Sequence, residues 1–267
     1  MLRSMYSGIS GLKNFQTKLD VIGNNISNVN TYGFKKGRVV FKDLISQTTA
    51  GSTAPSATRG GVNAKQVGLG SQIAAIDTIS TTGALQSTGR VLDLAVSGDG
   101  YFRVAPQSGS TDISYTRAGN FYMDAAGDIV TSDGMYLLDT AGNKITVPTT
   151  SQSMSIGQDG TVNIVAADGT LTSNQKLSLA KFPNSEGLEK VGSNYFKQSP
   201  ASGVPDPDVT AQAGGKGAIQ SGFLEMSNVD LSEEFTDMIV AQRGFQANSR
   251  IITTSDEILQ ELVNLKR

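Results

Sequence analysis

The 267-residue sequence contains no cysteine, no histidine and no tryptophan. Without cysteine no disulfide can form, so stability must come from packing or from assembly with other chains. The absence of cysteine and histidine also removes the usual zinc ligands, the thiol nucleophile and the imidazole base of a Ser-His-Asp triad. Zinc sites, cysteine nucleophiles and triads of this kind are therefore excluded.

An excess of one charge sign and a long apolar run are missing as well. The sequence has 22 Lys and Arg against 24 Asp and Glu, which leaves a formal net charge of −2 at pH 7. This balance provides no broad positive field that would attract nucleic acid or anionic lipid. No segment reaches the roughly 18 consecutive apolar residues of a membrane helix, and no apolar core of signal-peptide length follows Arg3. We therefore expect neither membrane insertion nor a Sec signal.

The N-terminal segment carries apolar residues at steps of three and four, which predicts one amphipathic helical stripe. The stripe consists of Met5, Ile9, Leu12, Phe15, Leu19, Ile22, Ile26 and Val29. Gly8, Gly11 and Gly23 lie in the same segment, and each lowers helix stability by roughly 1 kcal/mol relative to Ala. We therefore expect this helix to need a packing partner.

The C-terminal segment repeats apolar residues every seven positions, the spacing of a coiled coil. The repeating line contains Met238, Phe245, Ile252 and Leu259, and beside it lie Leu231, Phe235 and Val263. Asp230 followed by Glu233 predicts a helix N-cap. A second heptad line is polar and contains Gln242, Ser249 and Asp256. Polar residues there favour a hydrated contact with several partners over a dry core.

Between the two ends the pattern changes to alternation and turns. Leu92, Leu94 and Val96 alternate with polar or small residues. The turn residues Gly98-Asp99-Gly100 then lead into Phe102, which predicts a β-hairpin. Because Gly and Asp-Gly turns recur beyond this point, we expect an all-β middle.

The predicted fold class is α+β, with discontinuous coiled-coil-like helices at both ends flanking an all-β central domain. We assign residues 1–30 and 227–267 to a terminal helical core domain and residues 76–212 to an all-β outer domain. Residues 31–75 and 213–226 are assigned to extended linkers or arms, since Gly, Ser, Thr and Pro are frequent in and around them. Two explanations of the apolar stripes remain open: they cover one face of the β domain, or they pack with neighbouring subunits.

No arrangement of residues predicts a catalytic, cofactor-binding or metal site. Gly98-Asp99-Gly100 lacks the following Lys of a phosphate loop, and the Asp-Gly pairs lack the ligand pattern of an EF-hand. Pairs such as Asp93 with Asp99 are interpreted as solvated turn charges. An enzyme on a β scaffold and an exported binding module such as an adhesin are the alternatives to a structural subunit. Electron microscopy separates them, because only the structural subunit forms tubes.

Motifs at both ends and in the middle resemble the flagellar rod and hook protein family. The N-terminal motif is Asn24-Asn25-Ile26-Ser27-Asn28-Val29-Asn30-Thr31-Tyr32-Gly33-Phe34-Lys35, and the C-terminal motif is Ser227-Asn228-Val229-Asp230-Leu231 followed by residues 238–249. The middle motifs are residues 92–102 and Tyr115-Thr116-Arg117-Ala118-Gly119-Asn120-Phe121. The family-motif residues we single out are Asn24, Asn25, Asn28, Gly33, Phe34, Asn228, Val229, Gln242 and Arg243. We expect Asn24, Asn25, Asn28 and Gly33 to end the N-terminal helix and to turn the chain outward, because Asn and Gly tolerate left-handed and turn conformations.

This resemblance covers nearly the whole chain and implies a tubular homopolymer with terminal helices inside and the β domain outside. The apolar residues of both stripes would then be the assembly interface. The implied partners are other copies, the rod, hook-cap and hook-filament junction proteins, and the flagellar type III export apparatus. The implied location is the hook or basal body of the bacterial flagellum, outside the cell after export.

Within the family, residues 6–12, 21–25 and 32–37 resemble the hook protein more than the rod. The length is similar to that of a distal rod protein, although short hook proteins of the Gram-positive type also exist. We therefore expect a subunit of the hook, the flexible universal joint that transmits torque from rod to filament. A distal rod subunit of the basal body is the alternative.

Overall fold

The structure is a computed structural model that describes residues 2–55, 59–207 and 209–265. The chain forms two compact units. The terminal unit comprises Met1–Ser27, Gly37–Thr78 and Asp230–Arg267, and the central unit comprises Asn28–Lys36 and Ile79–Val229. Terminal helices flanking an all-β central domain confirm the α+β class. No helix in the described ranges combines the length and apolarity that crossing a bilayer requires.

The terminal unit is built on two helices, α1 (Leu2–Ser27) and α2 (Leu231–Leu265). They run antiparallel, because Gly8 approaches Ile252 near one end of the pair while Asn25 bonds to Glu234 near the other. Asp230 caps α2 as expected: its carboxylate accepts hydrogen bonds from the backbone N–H groups of Ser232 and Glu233 at 2.8 and 3.4 Å.

Glycines allow the two helices to approach closely. A Cβ added to Gly11 would lie 2.8 Å from the Asn248 side chain, and one added to Gly244 would lie 2.6 Å from the Phe15 ring. Both distances are shorter than van der Waals contact, so the packing depends on the missing methyl groups. Glycines that weaken an isolated helix thus shape the contact between α1 and α2.

Two pairs of antiparallel strands complete the terminal unit. The strands are β1 (Gly37–Asp43), β2 (Ser46–Ala50), β3 (Lys65–Gly68) and β4 (Ser71–Thr78), with β1 paired to β4 and β2 to β3. Phe41 on β1 packs edge-on against Phe15 with ring centroids 6.0 Å apart, and Asn14 donates to the Ser71 hydroxyl at 2.8 Å.

These strands lie mostly within residues 31–75, which we assigned from the sequence to a linker or arm, and β4 continues to Thr78. The difference has a physical cause. Gly and Thr are frequent in this stretch, but Val39 and Phe41 have β propensity, and Phe41 pairs with Ile73 in a ladder that packs on α1. The second stretch assigned to a linker, residues 213–226, likewise contains strands of the central unit.

The central unit consists mainly of short antiparallel strands, together with a 3-10 helix at Ser185–Gly187. The strands are β5 (Leu85–Ser87), β6 (Leu94–Ser97), β7 (Tyr101–Ala105), β8 (Ser114–Thr116), β9 (Tyr122–Met123), β10 (Ile129–Val130), β11 (Tyr136–Leu137), β12 (Ser153–Ile156), β13 (Thr161–Val165), β14 (Leu171–Lys176), β15 (Leu179–Ala180), β16 (Glu189–Gly192), β17 (Tyr195–Lys197), β18 (Ala218–Ser221) and β19 (Phe223–Glu225).

The largest sheet of the central unit has the order β16-β17-β8-β7-β11-β10-β9, and β15 also pairs with β7. A second sheet has the order β12-β13-β14, while β18 pairs with β6 and β19 with β5. Phe102 and Phe121 are fully buried in the core and meet edge to face at 5.3 Å between ring centroids. This aromatic pair anchors one apolar cluster of the unit.

The hairpin predicted across Gly98-Asp99-Gly100 is wrong. The chain does turn there, and both glycines have positive φ, 117° and 139°. However, β6 pairs with β18 and β7 pairs with β8, β11 and β15, so the two strands are not hydrogen-bonded to each other. The local turn signal was correct, but the partner of β6 comes from more than a hundred residues later in the chain.

A buried carboxylate reinforces the sheet near β10. The Asp128 side chain is 2% exposed and accepts hydrogen bonds from Lys144 Nζ and Thr146 Oγ1, both at 2.6 Å. The bond from Lys144, followed by the bond from Thr146, holds the pKa of Asp128 below its ordinary value of 3.8. Protonation of Asp128 is therefore harder in the folded state than in the unfolded chain.

This linkage predicts loss of stability in acid. A depressed carboxyl pKa contributes stability that is complete above the unfolded value, near pH 4, and that disappears as the pH falls through the folded value. We expect Asp128→Asn to cost about 1 to 3 kcal/mol at pH 7 and to flatten the pH dependence of unfolding below about pH 4. Denaturation followed by circular dichroism between pH 2 and 7 measures both effects.

The matched control for this experiment is Asp112→Asn. Asp112 also pairs with a lysine, Lys197 at 2.9 Å, but its side chain is 64% exposed. Exposed pairs contribute about 0 to 1 kcal/mol. Equal effects of the two substitutions would show that burial of Asp128 does not matter.

Candidate assembly surface and junction cluster

The residues of the predicted interface divide into two groups in the terminal unit. Ile22 is buried, and its half-buried companions are Met5, Leu12, Phe15, Leu19, Ile26, Met238, Phe245, Ile252 and Leu259. The exposed members are Ile9, Leu231, Phe235 and Val263. Val29 is half-buried and follows α1 in the central unit. Part of the predicted set is thus shielded within the chain, and part is accessible to other molecules.

The predicted polar heptad line of α2 lies next to the line that contacts α1. Gln242 and Asp256 are exposed and Ser249 is half-buried, whereas Glu234, Ala241 and Ser255 are buried. The half-buried Asn248 completes this buried line of Glu234, Ala241, Asn248 and Ser255, whose members recur every seven residues. This buried line and the apolar line of Met238, Phe245, Ile252 and Leu259 alternate at steps of three and four residues, and both face α1.

Exposed apolar side chains flank this buried line on both sides. On one side of α2 lie Leu231, Phe235, Ile239 and Val263, and on the other lie Val240, Ile251, Ile258 and Leu265. Phe235 is 50% exposed and Ile239 is 59% exposed. We define these two groups as the α2 flanks. Exposed apolar side chains grouped in this way are common at protein interaction sites.

Asn25 has a different role from the one predicted. It was expected to end the first helix together with Asn24, but both residues lie inside α1. The Asn25 amide donates to the Gly37 carbonyl at 2.9 Å and to Glu234 Oε2 at 3.1 Å, and it accepts from the Gly37 N–H at 3.0 Å. This buried side chain therefore joins α1, the first residue of β1 and the first turns of α2.

The helix end itself lies at Ser27, and Asn28 begins the turn that follows. Thr31 donates to Asn28 through its backbone N–H and through its hydroxyl, both at 3.1 Å. Gly33 then adopts a φ of 69°, in the left-handed region that favours glycine. Asn28 and Gly33 thus redirect the chain as predicted.

A group of buried charges, which we call the junction cluster, lies in the central unit and consists of Lys35, Arg117 and Glu225. Their side chains are between 0 and 3% exposed. Glu225 accepts from Lys35 Nζ at 2.5 Å and from Arg117 Nη1 at 3.1 Å. Burial lowers the pKa of the Lys35 amine, and the negative charge of Glu225 opposes that shift.

Backbone groups complete the coordination of the junction cluster. Glu225 also accepts from the Gly83 N–H at 3.0 Å, and Lys35 donates to the Thr81 carbonyl at 2.8 Å. Glu225 lies 190 residues from Lys35 and 108 from Arg117. No local sequence pattern signals such a cluster, although Lys35 and Arg117 each belong to a segment that resembles the rod and hook family.

At Gly33 the neighbouring backbone leaves no space for a side chain. Its N–H donates to the Glu225 carbonyl at 2.8 Å. A Cβ at this position would lie 2.6 Å from both the Ala118 nitrogen and the Arg117 carbonyl carbon. Gly33 therefore allows residues 28–36 to lie directly against Arg117 and Ala118, which follow β8. Its neighbour Phe34 is buried beneath Lys190, whose Nζ lies 5.3 Å from the ring centroid.

The Asn228 side chain links two backbone segments of the central unit, one at Lys36 and one at Ile79. It accepts from the Lys36 N–H and donates to the Ile79 carbonyl, both at 2.8 Å. Its neighbour Val229 is half-buried. The other family-motif residues of the C-terminal segment, Gln242 and Arg243, are exposed on α2.

Replacement of Gly33 tests whether stability depends on its close contact with the backbone of Arg117 and Ala118. We expect Gly33→Ala to destabilise the protein by about 3 kcal/mol or more, because backbone strain and overpacking add. Gly109→Ala is the matched control, since Gly109 has a φ of 71° but open space around it. It should cost about 1 to 2 kcal/mol from strain alone. Urea denaturation compares the two, and equal losses would disprove the role of the contact.

Three segments of the chain match families of flagellar proteins. The family described as "Flagella basal body rod protein" matches residues 5–35. The family described as "Flagellar hook protein FlgE/F/G D1 domain" matches residues 95–164, and "Flagellar basal body rod FlgEFG protein C-terminal" matches residues 220–265. The matched ranges overlap all the motifs on which the resemblance was based, and they confirm it.

Similar proteins of full length include rod and hook proteins. The chain is 62% identical over 267 residues to "Flagellar basal-body rod protein FlgG" of Bacillus subtilis (strain 168), with 100% of both chains covered. It is 39% identical over 276 residues to the rod protein FlgG of Borreliella burgdorferi, again with 100% of both covered. With "Flagellar hook protein FlgE" of that organism it is 30% identical over 445 residues, with 100% of both covered.

Proposed function

Because this chain belongs to the flagellar hook and basal-body rod protein family, we propose that it is a distal rod subunit of the basal body. Proteins of this family are components of the bacterial flagellum and polymerise into its structures. The observation that carries the proposal is the 62% identity to a rod protein over the whole length of both chains. The hook, which the sequence motifs favoured, is the second candidate.

Length also favours the rod over the hook. The alignments with rod proteins extend over 267 and 276 positions, close to the length of this chain. The alignment with the hook protein extends over 445 positions, so that protein has additional residues without a counterpart here. The 30% identity that remains to the hook protein is the observation that supports the second candidate.

We infer that the α2 flanks are contact surfaces between copies of this chain. The buried line of α2 faces α1, so the flanks lie on two different sides of the helix pair. A helix with apolar surface on two sides can contact two neighbours at once, as closure of a tube requires. In this proposal, Ile9, Leu231, Phe235 and Val263 contact neighbours, whereas the half-buried members of the predicted interface support the pair within one chain.

We further infer that the protein has no catalytic activity of its own and requires no cofactor or metal. The similar proteins are named as structural parts of the flagellum, and the sequence lacks the Cys and His of common catalytic and metal sites. Contacts with other rod and hook proteins, the hook cap, the hook-filament junction and the type III export apparatus are proposed from the family resemblance alone.

Localisation tests rod against hook. Hook-basal bodies isolated from cells that carry an epitope-tagged copy of this chain should bind gold-labelled antibody on the straight axial segment within the basal body. Label confined to the curved segment outside the cell would contradict the rod assignment and support the hook. Label on neither segment would contradict both candidates.

A charge placed on one α2 flank tests the assembly surface. We expect Phe235→Asp to abolish tube formation, because burial of an unpaired carboxylate at a subunit contact costs several kcal/mol. The unfolding midpoint of the monomer should change little, since Phe235 is half exposed. Electron microscopy of polymers and thermal denaturation of dilute monomer provide the two measurements.

The control for this experiment is Thr236→Asp, which introduces the same charge one residue away at an exposed position. It should leave tube formation intact. If both variants polymerise normally, the flank around Phe235 is not a subunit contact. If Phe235→Asp unfolds the monomer, the side chain belongs to the core of the chain itself.

A further inference from the structure

Residues 218–225 contain two strands of the central unit, β18 and β19, and we call this segment the closing strap. β18 pairs with β6 along its whole length, and β19 pairs with β5 in the same way. Among the described strands, β5 and β6 have no other strand partner. Between β18 and β19, Gly222 accepts a hydrogen bond from the Thr88 N–H and donates one to the Asp93 carbonyl, both at 2.8 Å. Two strands from the first half of the chain are therefore completed only by a segment near its end.

The closing strap also contributes apolar side chains to the interior of the central unit. Ile219 is 1% exposed and belongs to the same buried cluster as Leu94 and Val96 of β6. Leu224 of β19 is 4% exposed. Burial of apolar surface is the main favourable contribution to folding. Before the strap is in place, the side chains of β6 lack this neighbour, and the apolar core around them is incomplete.

The buried charges depend on the closing strap as well. Lys35 and Arg117 both bind the carboxylate of Glu225, the last residue of the strap. Lys35 lies 190 residues before Glu225 in the sequence, and Arg117 lies 108 residues before it. In an unfolded chain both cations are hydrated, and burying them without a carboxylate is strongly unfavourable. The segments that contain Lys35 and Arg117 therefore cannot be buried favourably before the strap arrives.

We propose that the closing strap controls when the central unit folds. Residues 28–36, 85–97 and 114–121 stay unfolded until the strap binds them, although the ribosome makes all three segments before it makes the strap. Contacts between residues that are distant in the sequence form slowly, because the entropy of loop closure opposes them. An incomplete chain that lacks residues 218–225 consequently has no stable central unit.

Late folding of this kind suits a chain that must pass through a narrow channel. A chain without a folded central unit is flexible enough to enter such a channel, so the closing strap would assist the type III export proposed above. This use of the strap rests on the proposed function. The order of folding does not rest on it, and refolding of the purified protein tests that order separately.

Pulsed hydrogen exchange during refolding tests the proposal in the full-length protein. The chain is unfolded in urea, diluted into buffer and labelled after increasing refolding times, and mass spectrometry reports the protection of each segment. We expect residues 28–36, 85–97 and 114–121 to gain protection with the same rate constant as residues 218–225. Protection of any of the three segments before the closing strap would overturn the proposal.

A conservative substitution in the closing strap provides a second measurement. We expect Ile219→Val to slow folding by about two- to tenfold, the usual range for this change in a core. The unfolding rate should hardly change, because contacts of the strap are already present in the transition state. Stopped-flow tyrosine fluorescence measures both rates, since most of the tyrosines lie in the central unit.

The matched control is Ile164→Val, at a buried position of β13 that belongs to the same apolar cluster but lies outside the closing strap. It should act mainly by raising the unfolding rate. Equal slowing of folding by the two substitutions would show that the strap has no special role and would overturn the proposal. A folding rate that Ile219→Val leaves unchanged would overturn it as well.

Discussion

The carboxylate of Glu225 is the interaction on which the central unit depends most. It binds two buried cations, Lys35 and Arg117, that come from distant parts of the chain. Removing one partner of a buried ion pair typically costs about 3 to 5 kcal/mol, because the remaining charge is left in a medium of low dielectric constant. Loss of Glu225 would leave two such charges. The segments that supply Lys35 and Arg117 therefore depend on β19 for the carboxylate that compensates their buried charges.

Within each unit, one asparagine side chain forms hydrogen bonds with the backbone of residues near the boundaries of that unit. Asn25 in the terminal unit forms hydrogen bonds with both backbone groups of Gly37. Asn228 in the central unit bonds to the N–H of Lys36 and the carbonyl of Ile79. An amide side chain can donate and accept hydrogen bonds at once. It can therefore satisfy the backbone N–H and C=O groups of a segment that has no neighbouring strand. This accounts for both motif residues without any catalytic or ligand-binding role.

Periodic features of the fold could be predicted from the sequence, whereas long-range partners could not. Apolar spacing and capping predicted α1 and α2 to within a few residues, since these signals are local. The line of α2 that is buried against α1, which contains Glu234, Ala241, Asn248 and Ser255, was not predicted because its position depends on α1. The predicted hairpin failed because β6 pairs with β18, and the junction cluster was missed because its three charges are each unremarkable in their own segments. The buried line of α2, the pairing of β6 and the junction cluster all depend on tertiary contacts, which local sequence patterns do not reveal.

The distribution of apolar surface on α2 connects the fold to assembly. The buried line against α1 contains Glu234, Asn248 and Ser255, so the apolar part of the contact within one chain comes from half-buried residues beside that line, such as Phe15 and Ile252. Much of the remaining apolar surface lies on the α2 flanks, where each Phe or Ile side chain would contribute roughly 1.5 to 3 kcal/mol if a neighbour covered it. A ligand that binds only the folded state stabilises that state, and a neighbouring subunit acts in the same way. The helix pair should consequently gain much of its stability from the polymer, while the central unit, with its apolar core and junction cluster, is stabilised within the single chain.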